Sequence, residues 1–428
     1  MAEAVYHKNC TMVQDLTSQE LLQEWSGGLE KEQECNTLFY TAHHNWAWVV
    51  ALGLAHLGAE AKAAIAASSS RKQEAQTKAE EGRTVTRCSR ARDLPSQQQG
   101  RPAYALFRVE SGSEAERGVW CTSTALEFLD AKDALYEHLP AEAMPDTLLL
   151  DWDCISDEGS IEKFLLTHNK VLLKAALGSG GSGLYFVDSC EAVLAVLKGH
   201  AARAQREDGF LDKLRLDNGG RVPRWSLQTL LTPVLVGVRK SQVRAYIVFI
   251  EDDDQPHCYF YSCFEVRLPN WEAEIATADY TTMDDYEREV CGGSDAVPYN
   301  RGRIKADTER LLLSECAELT GAQEAIEKTL TSAFHALRSE LTTRKGISNS
   351  AYVKVAVVGV DLLLEHCGGG AEDSSLVASI LEVNNNPAMA NPLKHRMSLL
   401  YKEHLGTFFH DLTELSMRNR IGGFKCIF

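Results

Sequence analysis

The sequence predicts a chain of mixed α and β structure, α/β or α+β, and three observations carry that expectation. From Ala103 onward, short apolar runs alternate with amphipathic stretches to the C-terminus, the pattern of alternating strands and helices. A Gly/Ser run, Gly178–Gly183, sits between the apolar runs Val171–Leu177 and Leu184–Val187, which reads as strand, hairpin, strand. Tyr352–Leu364 is almost continuously apolar, as expected of a strand covered on both faces. The 428 residues suffice for two or three domains. The expected division is 1–128, 129–230 and 231–428.

Residues 36–58 read as a strand or turn followed by an apolar helix. His43 and His44 lie within it, but neighbours in sequence point in different directions on any regular element, so they mark a turn or helix start. From Ala59 to Arg101 the composition shifts to Ala, Ser, Gln, Lys and Arg. Such a stretch buries too little apolar surface to offset its ordering entropy. The expectation is a mobile insertion over 59–101, helical only near Ala59–Ala67. Between Arg71 and Arg101 it carries eight Lys/Arg against four Asp/Glu. Regular structure is expected to resume at Ala103–Val109.

The glycine run has the spacing Gly178-x-Gly180-x-x-Gly183, yet its context excludes a dinucleotide-binding turn. That turn opens a helix, whereas here an aromatic and β-branched run follows and a helix begins only after Asp188-Ser189. No Gly-Lys-Ser/Thr follows, so a Walker loop is excluded too. Backbone amides of such a hairpin are able to fold over phosphates. Lys174 ends the first strand, and a lysine inside an apolar strand needs an anionic partner.

Downstream, Trp225–Thr232 contains Gln228, and Arg239-Lys240 precedes the apolar strand Arg244–Ile250. Arg267 follows a further strand expected over Cys258–Val266. These cations make an edge suited to phosphate or carboxylate. Asp361 interrupts the apolar run of Tyr352–Leu364, where an ionised carboxylate is costly unless it meets a cation. At the end of the expected strand Ser379–Val383, Glu382 and Asn384 lie two residues apart and so share a face. A carboxylate and an amide oxygen aimed at one point suit a hard cation such as Mg2+. Asn385-Asn386-Pro387 then ends the strand.

Composition narrows the function classes. A net charge of −16 argues against general affinity for nucleic acid or anionic membrane. The longest apolar stretch, Trp46–Gly58, falls short of the about 20 residues that span a bilayer, and Met1–Cys10 lacks a signal-peptide pattern. Twelve cysteines occur without a Cys-x-x-Cys pair, which suits a reducing cytoplasm.

Taken in order, these motifs resemble the tubulin tyrosine ligase-like family of ATP-grasp ligases, over roughly Thr122 to Phe409. The resemblance rests on Lys174-Ala175 with Gly178–Gly183, on Gln228, on Arg239-Lys240-Ser-Gln242-Val-Arg244, on Gly359-Val-Asp361 and on Leu381-Glu382-Val-Asn384 through Pro387. Asp130-Ala-Lys132-Asp and Leu139-Pro140 to Thr147 are similar to the start of the family core.

The resemblance implies an ATP-grasp fold with ATP between two β-layers, behind a small N-terminal α/β domain. It implies a ligase that joins a free amino acid (Glu, Gly or Tyr) to a protein tail through an acyl-phosphate. The expected acceptor is the acidic tail of tubulin, in the cytoplasm, at the cytoskeleton or in a cilium. Lys174, Gly178, Ser179, Gly180, Gly181, Gly183, Gln228 and Lys240 would contact ATP. Asp361, Glu382 and Asn384 would hold Mg2+. Arg244 and Arg267 would offset charge on the phosphate and on the incoming carboxylate. Ala175, Thr229 and Gln242 stand where the family pattern has Pro, Lys and Asp. A different carboxylate substrate, or a non-catalytic adaptor binding tubulin or nucleotide, therefore stays open beside the ligase.

Overall fold

The computed structural model describes residues 37–41, 62–64, 84–88, 103–106, 124–152, 158–168, 171–176, 183–206, 212, 221–252, 255–269, 297–298, 308–343, 354–367, 375–385, 387, 396–418 and 420–428. The mixed α/β class is borne out, with helices interleaved among several sheets. Among the described residues no helix is long and apolar enough to cross a membrane.

The N-terminal strands are β1 (Thr37–Thr41), β2 (Lys62–Ala64), β3 (Thr84–Cys88) and β4 (Ala103–Leu106). They pair in parallel in the order β2-β3-β1-β4. Lys62–Ala64 is thus a strand where the sequence suggested a short helix. The β-branched Thr84-Val-Thr run favours a strand as well, and pairing with it decides the conformation of Lys62–Ala64. His43 and His44 lie outside the described residues.

Next come α1 (Lys132–His138), β5 (Thr147–Leu150), α2 (Glu158–Thr167), β6 (Val171–Ala175), β7 (Leu184–Val187), α3 (Cys190–Arg206) and β8 (Trp225–Thr229). As expected, β6 and β7 form an antiparallel pair. Helix α3 begins at Cys190, with Ser189 Oγ accepting from Ala192 N at 3.2 Å, an N-cap. A hairpin, β9 (Leu235–Val236) and β10 (Arg239–Lys240), leads into β11 (Gln242–Asp252), β12 (Gln255–Tyr261), β13 (Glu265–Leu268), β14 (Val297–Pro298) and β15 (Glu309–Leu312). The chain closes with α4 (Ala322–Ala336), α5 (Arg338–Thr343), β16 (Lys354–Cys367), β17 (Ser375–Asn384), β18 (Arg396–Met397), α6 (Leu399–Arg418) and β19 (Phe424–Cys426).

Two sheets carry the site. One has five strands in the order β14-β7-β6-β8-β5. Its core, with Leu150, Leu173, Tyr185, Val187, Trp225 and Leu227, packs Ile161 of α2 and Val193, Val196 and Leu197 of α3. Leu173 and Leu227 lie on that side, so the alternation of strands puts Lys174 and Gln228 on the opposite face.

The other has eight strands, with β17-β16-β11-β13-β15-β18 in line, β12 paired to β11 and β19 paired to β12. One face of β11 and β16, with Val243, Ala245, Ile247, Val358, Val360 and Leu362, packs Ile326, Leu330 and Phe334 of α4. The other face meets α6, where the rings of Tyr246 and Phe408 lie 5.1 Å apart. Coverage on both faces explains why β16 reads as unbroken apolar sequence.

The strand expected over Cys258–Val266 is two strands. Ile247 pairs with Phe260 and Val243 with Val266, so the bend at Ser262–Phe264 inserts two extra residues opposite β11. Leu126, Leu129, Leu135, Leu139 and Met144 belong to the core of the eight-stranded sheet, while Val297–Pro298 pairs with β7. The chain therefore crosses between the two sheets more than once.

Candidate functional site

A row of charge crosses the larger sheet. Glu265, Arg244, Asp361 and Glu382 stand directly opposite one another on β13, β11, β16 and β17. Opposed residues on neighbouring strands share a face, so four ionisable side chains project together. One step along, Arg310 faces Arg267, and Asn384 faces Gly359.

Arg244 grips Asp361 at two points. Its Nε lies 2.5 Å from Oδ1 and its Nη2 2.6 Å from Oδ2. Both side chains are buried, and Arg267 Nη1 stands 3.5 Å from the same Oδ1. Burial alone would raise the Asp361 pKa, but Arg244 and Arg267 overcome it and hold the carboxyl down at about 2. Gly359 makes the approach possible. A Cβ there would meet Arg244 Nη1 at 2.6 Å and Pro387 Cβ at 2.7 Å, so the Gly-Val-Asp spacing clears a path for the guanidinium.

Glu265 anchors a second cluster. It is fully buried and accepts from Arg267 Nε at 2.6 Å, Tyr246 Oη at 3.0 Å, Tyr401 Oη at 2.7 Å and Arg310. Burial opposes its charge, but Arg267 and Arg310 prevail and keep it ionised well below the usual carboxylate range. Through Tyr401, helix α6 takes part in holding Arg267. Among the described residues, Arg267 Nη2 and Arg310 Nε are buried without a hydrogen-bond partner.

The two sheets meet at α1. Lys132 N donates to Ala176 O at 3.1 Å, just past β6, and its Nζ reaches within 4.0 Å of Glu382 Oε2. Lys174, also buried, lies in the field of both. Burial first, and the Lys132 charge second, lower the Lys174 pKa to about 7 against the pull of Glu382. The Glu382 pKa is raised, by burial and then by the Asp361 charge. Behind Lys174, the Gln228 amide donates to Tyr136 Oη and to Thr147 Oγ1, the latter at 3.2 Å.

Asp361, Glu382 and Asn384 are brought together. Asn384 Nδ2 lies 3.4 Å from Asp361 Oδ2 and 3.4 Å from Glu382 Oε1. Turned about its amide axis, Asn384 would present its oxygen there, since such orientations are assigned from partners. Glu382 and Asn384 fit a hard cation, which takes one or two protein carboxylates beside substrate phosphates. Arg244 donates one hydrogen bond to each Asp361 oxygen, and since a carboxylate offers about four lone-pair sites, Asp361 keeps acceptor capacity beside the guanidinium. Among the described residues no three or more His, Cys, Asp or Glu form a metal-binding group.

Of the other expected residues, Gly183 closes the β6–β7 hairpin at φ 69°, and its carbonyl accepts from Ala175 N at 2.8 Å. A Cβ on Gly183 would stand 2.8 Å from Ala175 Cβ. Gly178, Ser179, Gly180 and Gly181 lie outside the described residues. Lys240 lies on β10, where its neighbour Arg239 is engaged by Glu309 at 2.6 Å. Sequence reasoning assigned no role to Lys132, Tyr136, Glu265, Arg310 or Tyr401. Glu265 had a signal, an acidic residue embedded in an apolar run; Tyr401, on an amphipathic helix, had none. No protein-family model matches this chain, and no curated protein matches it.

Proposed function

We propose that the chain is an ATP-dependent carboxylate–amine ligase of the ATP-grasp type. One observation carries the proposal: Lys174 on the five-stranded sheet and Glu382 on the eight-stranded sheet converge across Lys132. Two lysines crowded beside one carboxylate, and a partly neutralised arginine group behind it, make a site for a polyanion with its cation. ATP supplies the phosphoryl group that activates a carboxylate for attack by an amine.

Within that reading, Lys174 and Lys132 hold phosphate oxygens, and Glu382 and Asn384 hold Mg2+. Arg267, with a donor unspent, offsets charge on the carboxylate. Phosphoryl transfer is catalysed mostly by such positioning and charge compensation. The acceptor proposed from the motif resemblance is the acidic tail of tubulin, with Glu, Gly or Tyr as the residue joined. The engagement of Asp361 by Arg244 favours one second reading, a nucleotide-binding adaptor without ligase turnover.

The test is ATP-dependent incorporation of labelled Glu, Gly and Tyr into tubulin by the full chain, with Glu382→Gln as control. Incorporation that the variant loses supports the ligase and names its amino acid. A folded chain that binds Mg-ATP and incorporates nothing points to another carboxylate or to the adaptor.

A further inference from the structure

We infer that Arg310 joins Arg267 in a subsite for one carboxylate, a place for a substrate acid group apart from the lysines that face the nucleotide. The inference rests on the proposed ligase reading and deepens its substrate side. Charge is out of balance on this face of the sheet. Three guanidiniums, those of Arg244, Arg267 and Arg310, meet two buried carboxylates, Asp361 and Glu265. Glu382, opposite Asp361, lies against a cation of its own, Lys132. Among the described residues one positive charge therefore stands in excess, in a setting where an unmatched charge is strongly disfavoured.

Hydrogen bonding leaves the same gap. A carboxylate accepts at about four positions, and Glu265 fills them. Its Oε1 takes Arg267 Nε at 2.6 Å and Arg310 Nη1, and its Oε2 takes Tyr246 Oη at 3.0 Å and Tyr401 Oη at 2.7 Å. With Glu265 spent, Arg267 Nη2 and Arg310 Nε stay buried without a partner among the described residues. The shared Oε1 holds the two guanidiniums side by side, on residues that stand opposite each other on β13 and β15. Burial first, and the Arg267 charge second, lower the Arg310 pKa, as befits a cation short of an anion. The Arg267 and Arg310 side chains are 13% and 9% exposed and that of Glu265 is 0%, so what access there is leads to the arginines. A planar carboxylate suits guanidinium donors, and its single negative charge equals the excess.

Calorimetric binding to the full chain, with Mg-ADP present, tests the subsite through paired probes that differ in one kind of group, acid or amide. Free Glu, Gly and Tyr are each compared with their α-carboxamides, and an acetylated, amidated tetraglutamate peptide with its tetraglutamine counterpart. Wild type should favour acid over amide in at least one pair by about tenfold or more, and Arg310→Gln should lose that preference. Loss in the amino-acid pairs assigns the subsite to the free amino acid. Loss in the peptide pair assigns it to the acceptor. A preference that survives Arg310→Gln overturns the inference.

A merely structural Arg310 would weaken acid and amide alike, or Mg-ADP as much as the acid, and either result overturns the subsite. Should Arg310→Gln fail to fold, Arg310→Lys decides. It keeps a charge beside Glu265 but gives up the planar fork, and a preference kept in full overturns the inference. A wild-type chain that binds Mg-ADP and prefers no acid over its amide overturns this inference alone. One that binds neither Mg-ADP nor any probe overturns the ligase reading together with it.

Discussion

Arg244 and Asp361 stand opposite each other on adjacent strands and meet in a two-point ion pair, Nε to Oδ1 at 2.5 Å and Nη2 to Oδ2 at 2.6 Å. The pair ties β11 to β16 within the larger sheet, on the face opposite the one that packs α4. Removing one member leaves the other charged and buried. Arg244→Met should therefore cost about 3–5 kcal/mol, read as a fall in the denaturant midpoint with unchanged slope. Adding Asp361→Leu should restore much of the loss, because an apolar pair does without charge in that setting. Undiminished stability of the single variant would show that the pair contributes little.

Gly359 is the steric condition for that pair. Gly359→Ala puts a methyl where Arg244 Nη1 and Pro387 Cβ lie at 2.6 and 2.7 Å. Displacing either should cost about 1–3 kcal/mol. Alanine at Gly237, where nothing lies within 4 Å of the added carbon, is the control for space, although its φ of 61° adds backbone strain. A Gly359→Ala chain as stable as wild type would mean that Arg244 has room to move.

Much of this was legible in the sequence for a simple reason. Strands covered on both faces admit few charges, so each charge within them marks a place where partners converge. Lys174, Arg244, Asp361 and Glu382 all stood out in that way, and alternation along β17 put Glu382 and Asn384 on one face. The partner of Asp361 was not legible, because register between strands more than a hundred residues apart is settled by pairing, which one sequence does not display. Nor was the bend after β12, since Tyr261-Ser-Cys-Phe-Glu265 has the composition of a continuing strand. Tyr401 reaches Glu265 from a helix whose pattern records only its apolar face.

Acid should weaken the fold through the same groups. Glu265 and Asp361 have folded pKa values below their ordinary ones, so the stability they contribute is present above the unfolded pKa and lost as pH falls through the folded one. For Asp361 that window runs from about 3.8 down to about 2. Glu382, shifted upward, works in the opposite direction and partly offsets the loss. Denaturant midpoints should fall steeply below about pH 4. In Glu265→Gln they should be lower at neutral pH and should change less with acid. Parallel curves for the two proteins would remove Glu265 as a source of the acid response.

Lys174 makes the clearest case for a proton taken up with the ligand. Its ordinary pKa of 10.5 is lowered to about 7, by burial first and by Lys132 second. Between those values the unfolded chain binds a proton that the folded chain does not, so this lysine contributes stability that rises with pH across the window. Lys174→Met should remove that slope. A polyanion in the site favours the ammonium form, so ADP binding near neutral pH should draw in a proton, and affinity should decline as pH rises past about 7. Calorimetric titration in buffers of different ionisation enthalpy measures the uptake directly. Wild type should show it and Lys174→Met should not. Equal uptake in both would place the titrating group elsewhere, and a pH-independent affinity in wild type would remove Lys174 from the phosphate contacts.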